Sequence, residues 1–217
     1  MSIKTMTLRS KLLAMTIVTV VALAVLFSVL LINGKQQMLN DREAKVRNLV
    51  ESTQGILSYY EKAARDGQMS VEDAKKTAAA TIGSMRYDKT EYFWIHDLKD
   101  ATMIMHPIKP ELNGKTLDEL KDKGGKQFFH EMNLVVKASG AGFVDYLWPK
   151  PGADEGIPKI SFVQGFEPWG WVVGSGIYID DVDAKFRSEA IKLLVWGLGI
   201  SSFIAISLLL LSGNIIK

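Results

Sequence analysis

Helical periodicity, two β-rich runs, a helix, three further β-rich runs and a closing helix predict an α+β domain on an antiparallel sheet. Three observations carry that reading. Long uncharged apolar runs bracket the chain, a near-heptad stripe follows the first of them, and aromatic and β-branched alternation sets in after residue 90.

The 217 residues are 47% hydrophobic, with 26 basic against 24 acidic side chains and no cysteine. So even a balance carries no electrostatic footprint for nucleic acid. Without cysteine, a disulfide framework, a thiolate zinc site, an iron–sulfur cluster and a thiol nucleophile are excluded.

Residues 12–32 hold no charge between Lys11 and Lys35, and residues 193–216 none between Lys192 and Lys217. A hydrocarbon core of about 30 Å needs about 20 apolar residues in helical form. Both runs qualify, and the spans are placed at 12–32 and 193–213. The first run is too long for the apolar region of a signal peptide, and Asn33-Gly34-Lys35-Gln36-Gln37 offers no small-x-small cleavage site. Lys4, Arg9 and Lys11 make residues 1–11 a basic flank without an acid, and Lys217 lies in the short tail at 214–217. Short basic flanks stay in the cytoplasm, whereas a long loop crosses largely regardless of its charge. Residues 34–190 are therefore expected outside the membrane.

From residue 36 to 65 the apolar positions Leu39, Val46, Leu49 or Val50, Thr53, Ile56 or Leu57, Tyr60, and Ala63 or Ala64 recur at helical spacing, and Gly67 ends the run. A helix of this length leaves a stripe that can pack on its own domain and also form a dimer seam. Ser70, with acids following, reads as the N-cap of a second helix that places Val71, Ala74, Ala78, Ile82 and Met85 on one face. Residues 91–96 and 102–106 are strands joined by a hairpin turn at 97–101. A helical turn is expected at 117–121 and a helix at 125–138, stopped by Gly140-Ala141-Gly142. Strands at 143–148, 160–166 and 171–178 complete a five-stranded sheet with helices on one side. Residues 179–190 return to helical character and run into the second span.

Catalytic signatures are missing. His130-Glu131 lacks a second histidine four residues after the first, and Gly174-Ser175-Gly176 is followed by Ile177-Tyr178 rather than a third glycine and a helix. There is no nucleophile elbow, P-loop or kinase signature. Asp180, Asp181 and Asp183 read as a helix N-terminal cap. No enzyme activity, metal or cofactor is expected.

What remains is a concentration of amphipathic side chains on the strands. Alternation places Tyr92, Trp94 and His96 on one face of the first strand, with Phe93 and Ile95 on the other. Pairing Asp97 with Ala101 across the turn sets Trp94 opposite Ile104 and Tyr92 opposite His106. The same alternation joins Tyr146 with Trp148 and Lys159 with Ser161. Indole, phenol, imidazole and ammonium donors on one face suit a small carboxylate with an alkyl end. The competing reading makes the aromatics ordinary core, each with one polar atom satisfied, and the lysine a surface residue. His96 and His130 suit that second reading best.

Four blocks carry a family resemblance. They are Tyr92-Phe93-Trp94-Ile95; Met105-His106-Pro107-Ile108-Lys109-Pro110-Glu111-Leu112-Asn113-Gly114; Gly142-Phe143-Val144-Asp145-Tyr146-Leu147-Trp148-Pro149-Lys150-Pro151-Gly152; and residues 165–182, with Pro168-Trp169-Gly170-Trp171 and Gly174-Ser175-Gly176-Ile177-Tyr178. In content, order and spacing the chain resembles the single Cache sensor region of bacterial methyl-accepting chemotaxis proteins. The resemblance implies a PAS-like sheet on the long N-terminal helix, with a ligand pocket on the other face. It implies small organic acids such as acetate, propionate, pyruvate or lactate as ligands, a homodimer, and the bacterial cytoplasmic (inner) membrane as location. Trp94, His106, Tyr146 and Lys159 are the implied pocket residues, followed by Tyr92, Trp148 and Ser161. Receptors of this kind continue into a HAMP linker and a signalling tail that would meet cytoplasmic partners. This chain stops at Lys217, so a sensor histidine kinase, a nucleotide cyclase or a membrane-anchored protein-binding module stands as the alternative.

Overall fold

The computed structural model describes residues 8–88 and 90–215. Lys4 and Lys217, on which the cytoplasmic flanks were partly read, lie outside the described residues. Among the described residues two helices are long and apolar enough to cross a membrane, within Leu13–Arg65 and Ile179–Ser207. The chain divides into two compact units, one of residues 1–39 and 182–217, the other of residues 40–181.

Helix α1 (Leu8–Arg65) has no break at Asn33-Gly34, so the first span and the near-heptad helix are one element. In the second unit it buries Val46, Val50, Thr53, Leu57 and Ala63, the expected stripe. Helix α2 (Val71–Ser84) begins at Ser70, whose hydroxyl accepts the Asp73 amide at 3.0 Å, and buries Ala74, Ala78 and Ile82. Such a cap supplies an acceptor that the first helical turn lacks.

Among the described residues the sheet has six strands, not five: β1 (Arg86–Tyr87), β2 (Glu91–Asp97), β3 (Met103–Met105), β4 (Ala141–Pro149), β5 (Gly156–Phe166) and β6 (Trp171–Tyr178). They run antiparallel in the order β1-β2-β6-β5-β4, and β3 pairs with β2. The two-residue β1 is too short to leave a periodic signal. Helix α3 (Phe128–Ser139) and α4 (Ile179–Ile215) complete the elements. Residues 117–121 form only a turn, closed by Leu120 N–H donating to the Leu117 carbonyl at 3.0 Å.

The helices are not confined to one side. Arg47 of α1 stands over the Phe143 and Phe162 rings at 5.3 and 5.5 Å, and Lys75 of α2 over Trp171 at 5.9 Å. On the other face, α3 packs Phe128, Phe129, Met132 and Val136 into a cluster with Tyr92, Trp94, Val144, Tyr146, Val163 and Val172. A sheet apolar on both faces must be covered on both.

The β2–β3 register also departs from expectation. Ile95 faces Met105 and His96 faces Met103, with a bulge between them, so Trp94 is not opposite Ile104 nor Tyr92 opposite His106. Ala101, buried with φ 55°, takes up the left-handed turn, and the inserted residue shifts the ladder.

Candidate functional site

Strand register assembles a polar seam on the α3-facing side. Tyr146 faces Lys159, and Lys159 faces Tyr178, across β4, β5 and β6. One pleat further, Val144, Ser161 and Gly176 align; beyond them Gly142, Val163, Gly174 and Trp94 align. The period of two puts all of these on one face.

Lys159 is 1% exposed, which overturns the reading that made it a surface residue. An isolated buried ammonium is costly unless paired. Among the described residues no carboxylate forms an ion pair with it; its side-chain hydrogen bond goes to the Tyr92 hydroxyl at 3.2 Å. The Tyr92, Tyr178 and Trp94 rings surround it, with centroids at 4.4, 4.8 and 5.7 Å. Such faces offset part of the desolvation cost. An ammonium has three N–H donors, so most of its capacity is left for an acceptor.

Neutral donors converge on the same place. Tyr92 Oη accepts from Lys159 and from Trp148 Nε1 at 3.0 Å, leaving its own proton as an outgoing donor. Tyr146 Oη and Ser161 Oγ are 3.0 Å apart, and the Tyr146 ring stacks on Phe128 with centroids 4.5 Å apart. Burial pushes the Tyr146 phenol well above its ordinary pKa, so it stays protonated.

His106 is oriented by its own loop. Its Nδ1 accepts the Ile108 and Lys109 amides at 3.3 and 3.0 Å, while its backbone N–H donates to Asn113 Oδ1 at 2.8 Å. A neutral imidazole with Nδ1 accepting carries its proton on Nε2. Burial first, then the Lys159 and Lys109 charges, push its pKa down to about 3. His106 is therefore a neutral donor, and the charge of the seam comes from Lys159. Despite the shifted register its ring meets Tyr92 at 5.1 Å and Trp148 at 6.0 Å.

Trp94 enters differently from the other candidates. Its indole N–H is committed to His96 Nδ1 at 3.2 Å, so it supplies a wall rather than a donor. His96 is fully buried, contacts Asn133 Oδ1 through Nε2 at 3.1 Å, and has its pKa lowered to about 4 by burial. That closed network makes it structural, as its position suggested; His130 is exposed and meets Asp118 at 3.0 Å.

Three participants escaped the sequence reading. Tyr178 is 2% exposed and walls Lys159; alternation applied to residues 171–178 would have found it. Gly174 and Gly176 form no nucleotide loop, but they make room for the seam. A Cβ on Gly174 would sit 2.6 Å from Trp94 Cε2, and one on Gly176 2.7 Å from the Ile160 carbonyl and against Ser161 Oγ. Glycines two apart in a strand, sharing a face with large aromatics, are the available signal.

Residues 38–192 match the family Single Cache domain 2. The chain belongs to the single Cache domain family. The Cache chain is 35% identical to the methyl-accepting chemotaxis protein McpP of Pseudomonas putida over 216 residues, 100% of this chain and 40% of that protein. It is 36% identical to the sensor histidine kinase MctS of Rhizobium johnstonii over 152 residues, 70% of this chain and 32% of the kinase. It thus spans less than half the length of these curated relatives. A solved Cache chemosensory domain described for its carboxylic acid recognition is 43% identical, with a TM-score of 0.63, covering 66% of this chain and 97% of that one. The α+β architecture, its antiparallel sheet and its long N-terminal helix are those of a Cache domain.

Proposed function

We propose that this chain is the sensor region of a membrane chemoreceptor whose Cache domain, residues 34–190, binds one small monocarboxylate outside the cytoplasmic membrane. Acetate, propionate, pyruvate and lactate are the class. The spans at 12–32 and 193–213 anchor it, residues 1–11 and 214–217 face the cytoplasm, and two copies pair along α1. Signal leaves through α4, which follows β6 without a linker.

The observation that carries this reading is the buried Lys159 ammonium, caged by aromatic rings and in no ion pair with a carboxylate among the described residues. One cation with neutral donors around it, Tyr92, His106, Tyr146 and Ser161, matches one carboxylate. Phe128, Trp94 and Trp148 offer walls to a short alkyl end. The likeness to a Cache domain described for carboxylic acid recognition supports a carboxylate, and the likeness to McpP supports the chemoreceptor reading.

Calorimetric titration of the full chain in lipid nanodiscs with acetate, propionate, pyruvate, lactate and succinate tests it. Saturable binding of monocarboxylates that is lost in His106→Ala, with an unchanged folded spectrum, is the expected result. Wild-type affinity in that variant defeats the His106 assignment, and no binding of any acid defeats the ligand class.

A second reading, the input domain of a sensor histidine kinase, is favoured by the likeness to MctS. Both readings use the same site and differ only in cytoplasmic output. Identifying the domain joined to this chain in the cell separates them.

A further inference from the structure

We infer that Tyr178 and Lys150 couple occupancy of the Lys159 site to the first turn of α4, so that a bound carboxylate tightens the strand-to-helix junction. The inference rests on the carboxylate reading above.

Tyr178 is the last residue of β6, and α4 begins at Ile179. Its ring is shared by two ammonium groups: Lys159 Nζ lies 4.8 Å from the centroid and Lys150 Nζ 5.3 Å. Lys150 at the same time holds Asp180 Oδ2 and Asp181 Oδ1, each at 2.8 Å. The Tyr178 hydroxyl donates to the carbonyl of Pro149, the neighbour of Lys150, at 2.8 Å. The end of β4 therefore grips the junction by a backbone carbonyl, by a cation over the ring and by two ion pairs.

Two cations drawing on one ring share its π-electron density and repel each other. A carboxylate paired with Lys159 cancels one of those charges. The ring's attraction then falls to Lys150 alone, the repulsion on Lys150 drops, and its hold on Asp180 and Asp181 strengthens. The grip is marginal without this help, because the side chains of Lys150, Asp180 and Asp181 are 29%, 46% and 62% exposed. A marginal contact is one that a ligand of modest differential affinity can shift. The acids sit in the first turn of α4, where negative charge is favoured, so Lys150 acts on the helix end itself.

The test is hydrogen exchange of residues 179–190 in the full chain in nanodiscs, with and without sodium acetate, beside calorimetric affinity for acetate. Wild type should exchange more slowly in this segment when acetate is bound. Lys150→Gln should bind acetate within about threefold of wild type, since its partners are largely exposed, but lose the acetate-dependent slowing. Tyr178→Phe, which keeps the ring and loses the Pro149 bond, should retain part of it. Acetate binding without slowing in wild type, or an undiminished response in Lys150→Gln, overturns the coupling and leaves the ligand reading standing. No acetate binding by wild type overturns both.

Discussion

The two faces of one sheet treat polarity in opposite ways. Toward α1 and α2 the strands present Phe93, Ile95, Phe162, Val173 and Ile177, all buried. Ser175 on that side is closed off: its hydroxyl donates to the Tyr92 carbonyl at 2.7 Å and meets Tyr87 Oη at 2.7 Å. The α3 side buries Lys159, His106, Tyr92, Tyr146 and Ser161 among aromatic rings, with donors in excess of acceptors. Satisfied polar groups specify a fold, whereas under the proposed function the surplus of donors is what a carboxylate would meet. Among the described residues the α1 and α2 side has exceptions: Gln164, which pairs with Val173, and Gln54 of α1 each bury a side-chain atom without a hydrogen-bond partner, and so does Glu91, which shares the parity of Phe93. Burial raises the Glu91 carboxyl pKa, and the unpartnered atom is its Oε2.

Acid should expose this asymmetry most strongly, because both buried histidines lie on the α3 side. Their folded pKa values, about 4 for His96 and about 3 for His106, fall below the ordinary 6.5. The unfolded chain then binds more protons, so their contribution is complete above pH 6.5 and is lost as pH falls toward those values. The slope is about 1.4 kcal/mol per pH unit for each imidazole. Thermal midpoints from pH 7 to 4 should drop steeply, and His96→Gln should remove about half of the slope. A flat profile breaks the assignment of both rings as buried neutral groups.

Next in size, Ile95→Ala on the helix side should cost about 2–4 kcal/mol in denaturant unfolding while leaving acetate affinity unchanged. A large loss of affinity would mean that the faces are not separable. Lys159→Met should do the reverse, weakening acetate binding about 100-fold with stability kept or raised, since replacing a buried charge by an apolar side chain is often neutral or favourable. Destabilisation without loss of binding would return Lys159 to a structural role. The smallest effect is expected for Trp148→Phe, which loses the 3.0 Å bond to Tyr92. A net bond of this kind contributes about 1 kcal/mol, so a roughly fivefold rise in the acetate dissociation constant, read by calorimetry, would fit.

Much of this was legible from pattern alone. The α1 stripe, the Ser70 cap and the Trp171–Tyr178 strand were each set by local periodicity or local hydrogen bonding, and the structure holds all three. Alternation placed Tyr92 with Trp94 and Tyr146 with Trp148, and these side chains do share a face. The β2–β3 register was not legible, because a one-residue bulge and a left-handed Ala101 leave the composition unchanged. Nor was the commitment of the Trp94 N–H to His96, which depends on Asn133 arriving from α3 to hold the imidazole.

Sequence by itself determined the two apolar spans, the order of the longer helices and strands, and which residues of a strand share a face, since these depend on neighbours within a few positions. Only the tertiary structure decided that Lys159 is buried with no ion-paired carboxylate among the described residues, that His106 is a neutral Nε2 donor, and that Gly174 and Gly176 open the space they border. The physical reason is distance along the chain. Lys159 meets Tyr92 and Tyr178, and His106 meets Trp148, only after four strands have fallen into register. Desolvation, tautomer and close approach are properties of that assembly, not of any segment within it.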